Sequence, residues 1–166
     1  LEARGVVVPG TRIAIASNRL AVVVPVGDGT TNGEGPPGGR FAIAETRNVP
    51  LGRYTLQALE SLGWWDVVEG RSVVASDARA VLALVESGEV DVGIVYASDA
   101  SASSRVRIVR SIDPTRHRAI RCEAALIRDT PEARACLERL RGPIGRTRLL
   151  ESGFRPPVES TGDGRP

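Results

Sequence analysis

Three short stretches carry residue types that could do chemistry together: Pro50-Leu51-Gly52, Ser76-Asp77-Ala78, and Val92-Gly93-Ile94-Val95-Tyr96. The first opens a helix, because proline fits the first turn, where the N–H it lacks would have had no intrahelical acceptor. The second opens another, with Ser76 or Asp77 able to cap the apolar run that starts at Ala78. The third is a β-rich run ending in a phenol. A helix N-terminus offers unpaired N–H groups and the positive end of the peptide dipoles, and a tyrosine hydroxyl adds an uncharged donor. Brought together, such groups form an oxyanion site with no acceptor-rich wall.

The elements that must position them follow from the pattern. Ile13 to Pro25 reads as a strand run with Asn18-Arg19 as a polar interruption, its Leu20–Val24 half buried on both faces. Phe41 to Ala44 is a short strand. A helix from about residue 51 to 62 puts Tyr54, Ala58, Leu59 and Leu62 on one face, Gly63 ends it, and Trp64-Trp65 starts a short second piece as core. Strands over 72–75 and 90–96 flank a helix over 78–86. This β-α-β-α-β alternation implies a parallel sheet with right-handed crossovers and ligands at the C-terminal strand ends. Strands over 106–112 and 119–127 follow, then helices over 131–140, capped by Asp129 or Thr130, and 144–152.

Composition narrows the classes. The 166 residues are 42% hydrophobic and 25% charged with net charge +2, ordinary for a globular chain. All the basic residues except one histidine are arginines, clustered at 105–121 and 134–148 without interleaved aromatics, so a nucleic-acid surface is not expected. No apolar run reaches the ~20 residues of a membrane span. The chain starts at Leu1 without a methionine, which points to a processed chain or a fragment, with a short helix tail ending near Gly5. Two cysteines, Cys122 and Cys136, are too few for a disulfide framework and read as free buried thiols, with a single bridge in an oxidising compartment as the alternative; with one histidine and no C-x-x-C, zinc has no ligand set. Residues 27–39 form a glycine-rich loop that lacks the G-K-[ST] ending of a nucleotide loop. Ser98, Asp99 and His117 lack the G-x-S-x-G elbow of a hydrolase, and no nucleophile has an assigned base, so an enzyme is not expected.

The stretches NRLAVVVP (18–25), NVPLGRYTLQALESLGWWD (48–66), ARAVLALVESGEVDVGIVYASDA (78–100) and SGFRPP (152–157) together resemble the periplasmic molybdate-binding proteins of ABC importers, over about residues 1–157. The specific part is V-P-x-G-x-Y, the L-G-x-W-D helix end and G-I-V-Y-x-S-D-A, in that order. The resemblance implies a type II periplasmic-binding-protein fold: α/β lobes with mostly parallel sheets flanked by helices, closing on a tetrahedral dianion held by amides and hydroxyls. Carried over position by position, it implies ligands at the amides of Leu51 and Ala78 and at Tyr96. The spacings, 27 and 18 residues, are each about one α/β repeat.

The resemblance also has gaps. The family's two ligand serines have no matching segment, its G-D-P before V-P is altered to Ala44-Glu45-Thr46, and the 27–39 loop shortens a region that usually carries a helix. The implied organisation is a remnant of an N-terminal lobe over 1–16, an α/β ligand-binding lobe over 17–121, a returning strand–helix segment over 122–156, and a disordered tail over 157–166. Leu126, Ile127, Leu137, Leu140, Leu149 and Leu150 would then lack partners. Implied, too, are molybdate or tungstate as ligand with no cofactor, a permease partner, an extracytoplasmic setting peripheral to the membrane at most, and weak binding by this chain alone. The alternatives are an oxyanion-sensing effector domain of a transcriptional regulator and a non-functional gene fragment.

Overall fold

A computed structural model describes residues 5–28 and 35–158. The helix tail expected over the first residues, the middle of the glycine-rich loop and the tail from 159 on fall outside them. In chain order the elements are β1 (Ile13–Asn18), β2 (Leu20–Pro25), β3 (Phe41–Ala44), α1 (Pro50–Leu62), α2 (Trp65–Glu69), β4 (Ser72–Ala75), α3 (Ala78–Glu86), β5 (Val92–Tyr96), α4 (Ala97–Ser101), β6 (Val106–Ser111), a 3-10 turn (Pro114–Arg116), β7 (Ile120–Ala124), α5 (Pro131–Arg141) and α6 (Pro143–Glu151). The chain divides into two units, Arg19–Ala119 and Leu1–Asn18 with Ile120–Pro166.

The larger unit is an α/β layer around a five-stranded sheet of order β4-β3-β5-β2-β6. β3 runs parallel to both β4 and β5, and β2 runs antiparallel to β5 and β6, so four strands share one direction and β2 alone opposes it. The continuously apolar β2, flanked on both sides, is buried from Leu20 to Val24. An apolar strand without alternation has no solvent face to offer, and a central position covered by helices satisfies it. α3 packs across β3, β5 and β2. Its close approach uses Gly93, where a Cβ would sit 2.5 Å from Val85 Cγ2 on the helix and 3.5 Å from Val23 Cγ2 on β2.

The face α1 turns to the sheet differs from the expected one. Leu51, Gly52, Thr55, Ala58 and Leu59 are buried, while Tyr54 and Leu62 are only half-buried. The small residues Gly52, Thr55 and Ala58 let the helix sit against the strand ends, and Tyr54 is rolled aside to meet His117 edge-on at 6.0 Å. Trp64 is buried, with the Arg110 guanidinium over its ring at 4.8 Å.

The smaller unit holds an antiparallel β1–β7 pair with α5 and α6. Here the expected single run from Ile13 to Pro25 divides: β1 joins β7 in one sheet and β2 belongs to the other, the change falling at Arg19. Burial differs with it: β1 is part-exposed where β2 is sealed from Leu20 to Val24. A two-stranded ribbon is marginal by itself. Reciprocal backbone hydrogen bonds between Ser17 and Arg155 (2.9 Å each) and a bond from Ser17 Oγ to Pro156 O (2.7 Å) add a further contact along β1.

Thr130, not Asp129, caps α5 through the Ala133 N–H, while Asp129 pairs with Arg134. No residue of α5 or α6 is buried. Ile127, Leu140 and Leu150 are exposed, as expected, and Leu137 and Leu149 half-buried. Leu126 departs from expectation: it is buried, its N–H bonded to Thr11 Oγ1 and its carbonyl to the Val8 N–H. Both cysteines are free, but Cys136 is exposed and Cys122 only half-buried, correcting the expectation of two buried thiols.

Candidate functional site

The site is built on the ends of three neighbouring parallel strands. Ala44, the last residue of β3, pairs in register with Ala75, the last of β4, and Phe41 and Ala42 pair with Val92 and Gly93 of β5. β4, β3 and β5 therefore run out at one edge of the sheet. α1 follows β3, α3 follows β4 and α4 follows β5. Adjacent strands lie about 4.8 Å apart, so the two outer ends are ~10 Å apart.

The expected residues belong to elements that start or end here. Leu51 lies in the first turn of α1, behind Pro50, with its side chain sealed in the core. Val49, at the cap position, is apolar and no side chain caps the helix. Ala78 is the first residue of α3. Asp77 caps that helix by accepting the Ala80 N–H at 2.9 Å, one turn further in. Tyr96 ends β5, pairs with Leu20 of β2 and is half-buried. The neighbouring Ala97 N–H, which would begin α4, already donates to the Arg19 carbonyl at 2.9 Å.

The edge is not free of charge, which the residue pattern did not announce. The Ala80 N–H holds the Asp77 carboxyl below its ordinary range. Asp99, in the first turn of α4, is pushed up by burial, against a hydrogen bond from Ser98 and the attraction of Arg79 in the first turn of α3. Glu45 follows β3 directly. Its Oε1 accepts the Arg47 N–H and its Oε2 the Asn48 N–H, both at 2.7 Å, and these bonds hold its carboxyl below the ordinary value.

Gly52 completes the local geometry. A Cβ there would come within 2.5 Å of the Ala44 carbonyl oxygen and the Glu45 carbonyl carbon, and closer still to the Glu45 carbonyl oxygen. The first turn of α1 thus rests directly on the end of β3. The glycine of V-P-x-G signals this contact; the altered Ala44-Glu45-Thr46 concealed the turn that Glu45 makes.

Other polar groups lie elsewhere. His117 is buried, its Nδ1 at 2.8 Å from the Arg118 carbonyl, where it must donate. Among the described residues no group of three or more His, Cys, Asp or Glu side chains gathers as a metal site. A hollow of about 400 Å³ lined by Ile15, Arg146, Leu149, Leu150, Arg155 and Pro156 belongs wholly to the smaller unit and includes none of the three expected site residues.

Comparison with known proteins agrees with this architecture. Residues 1–155 match the family described as bacterial extracellular solute-binding protein. The chain is 35% identical over 155 residues to the molybdate-binding protein ModA of Escherichia coli (strain K12), covering 87% of this chain and 60% of that protein. It is 31% identical over 132 residues to the putative ABC transporter substrate-binding lipoprotein YvgL of Bacillus subtilis (strain 168), covering 75% of this chain and 49% of the relative. The chain thus spans about half to three-fifths of the length of these curated relatives.

Among solved structures, the substrate-binding domain of a putative molybdenum ABC transporter from Clostridium difficile is similar at TM-score 0.80 and 26% identity, covering 96% of this chain and 72% of that one. The periplasmic molybdate-binding protein of Azotobacter vinelandii shares the fold at TM-score 0.77 and 22% identity, covering 95% of this chain and 73% of that one. With its mixed sheet, flanking helices and a family match over nearly its whole length, the chain belongs to the bacterial extracellular solute-binding proteins.

Proposed function

We propose that the chain is the oxyanion-holding part of an extracytoplasmic solute receptor for an ABC importer, with molybdate or tungstate as ligand. The observation that carries the reading is the shared edge: β3 ends there and leads to Leu51, β4 ends there and leads to Ala78, and β5 ends there in Tyr96. Two helix-start amides and one phenol are neutral, directed donors. They replace the water stripped from a dianion, and without a full opposing charge they also let it go. Donors set for a large tetrahedron under-coordinate a smaller one, which favours molybdate and tungstate over sulfate. The chemistry is binding, with no reacting group required, and the onward partner is a membrane permease. No helix among the described residues is long and apolar enough to cross a membrane itself.

Thermal unfolding with molybdate, tungstate, sulfate and phosphate in turn tests the reading. At ten times Kd a specific ligand stabilises by about 1.4 kcal/mol, which raises Tm by ~3–5 °C for a chain of this size. Molybdate and tungstate should give that rise and sulfate should not. Equal responses to all four anions would contradict the reading.

A further inference from the structure

We infer that Glu45 is a positioning residue for the oxyanion site: its carboxylate fixes the turn that carries the Leu51 amide to the sheet edge. The inference rests on the function proposed above and adds to it a residue that never touches the ligand.

Five residues, Glu45 to Val49, separate β3 from α1. A turn of this length is free to place the helix start in many ways, and α1 has no side-chain cap to choose among them. Glu45 makes the choice through three contacts. Its N–H donates to the Ala75 carbonyl at 2.9 Å, tying the turn to the end of β4, beside α3. Its two carboxylate oxygens take one amide each, Arg47 on Oε1 and Asn48 on Oε2, at 2.7 Å. Its carbonyl lies under Gly52, so that the first turn of α1 is seated on it. One residue therefore links the strand end under α3, the turn and the helix start that would offer the Leu51 amide.

Bonds from amides to an ionised carboxylate are short and stronger than neutral ones, so this is a stiff turn. Both oxygens are also occupied by N–H groups, which offsets a negative charge that would otherwise oppose an anion nearby. The lowered carboxyl of Glu45 agrees with that occupancy.

Gln at this position has one oxygen and one NH₂ group, so it keeps one amide and sets a donor against the other. Ala loses both. Asp, whose shorter arm favours bonds to amides two and three residues on, supplies the same two acceptors. The test is a ¹⁵N amide-shift titration of the whole chain with sodium molybdate, comparing wild type, Glu45→Ala, Glu45→Gln and Glu45→Asp. The apparent Kd at Ala78, which Glu45 does not hydrogen-bond, should rise roughly fivefold or more in the Ala and Gln variants, as expected from partial loss of charge-assisted bonds. The Asp variant should return to within about twofold of wild type, a recovery that loss of fold stability alone does not produce.

Wild-type binding with an unchanged Kd in the Ala and Gln variants would overturn the inference and leave the proposed function standing. Losses of equal size in all three variants would overturn it too. No saturable shift at Leu51 or Ala78 in the wild type would remove both. Should the Ala variant fail to fold, the Gln variant, which keeps one amide bound, carries the comparison.

Discussion

Replacing Gly52 by alanine separates two opposing effects in one methyl group. In an exposed helix the change stabilises by ~1 kcal/mol, because glycine carries more backbone entropy into the unfolded state. At position 52 the new Cβ would sit 2.5 Å from the Ala44 carbonyl oxygen and the Glu45 carbonyl carbon, where ordinary contact begins at 3.4 Å. At least 0.9 Å must be made up, and the neighbours are backbone atoms at the end of a buried strand, which cannot swing aside as a side chain would. Overpacking of this kind costs up to ~3 kcal/mol. The net loss is then about 2 kcal/mol, or a Tm lower by ~4–8 °C.

The easiest relief is a lift of the first turn of α1 off the strand. That moves the Leu51 amide by about the same distance, enough to spoil a hydrogen bond, whose useful range is only about 0.5 Å wide. Gly52→Ala should therefore lose both stability and most of the molybdate-induced rise in Tm. Gly70→Ala is the control: φ there is −63° and a Cβ would meet nothing nearer than Asp66 O at 3.8 Å, so the change should stabilise by about 0.4–1 kcal/mol. Urea unfolding of the two variants beside wild type decides the matter. A Gly52→Ala midpoint at or above wild type would refute the reasoning that α1 is seated on β3 by close contact.

Tyr96→Phe should bind molybdate ~10-fold more weakly, the loss of one bond to a charged group; an unchanged Kd takes the phenol out of the site. Burial raises the Asp99 carboxyl, so its ionised form costs stability as pH rises from the unfolded value of 3.8 through the folded one. Asp99→Asn should accordingly be more stable than wild type at pH 7, with the gap closing on acidification; urea midpoints across pH check this, and a gap constant with pH counts against it. Asp77 has the opposite sign. Its folded carboxyl is lowered by the Ala80 N–H, so the stability it lends is present at neutral pH and lost as pH falls through the folded value, and Asp77→Ala should be destabilised at pH 7 but not in acid. Under limiting iodoacetamide, Cys136, exposed on α5, should be alkylated well before Cys122, whose thiol burial pushes up; mass spectrometry of the peptides reads the order.

Local signals made the site's frame legible in the sequence. Pro50 and Asp77 mark helix starts by chemistry confined to one turn, and the unbroken apolar stretch of β2 declares a strand buried on both faces. Features settled by distant partners were not legible. The division of residues 13–25 between two sheets depends on β7 lying beside β1 more than a hundred residues later in the chain. Leu126 is buried through contacts with Val8 and Thr11, which no pattern around it could announce. Glu45 hid for another reason: a glutamate bonding amides two and three residues ahead imitates the turn habit of the shorter Asp.

The most direct measurement is crystallographic: the chain soaked in molybdate, with data collected at the molybdenum absorption edge. One strong anomalous peak is expected at the edge formed by β4, β3 and β5, with oxygens within ~2.7–3.2 Å of the Leu51 and Ala78 amide nitrogens and the Tyr96 hydroxyl. A peak lodged instead among the arginines of α5 and α6, with none at that edge, would contradict this expectation.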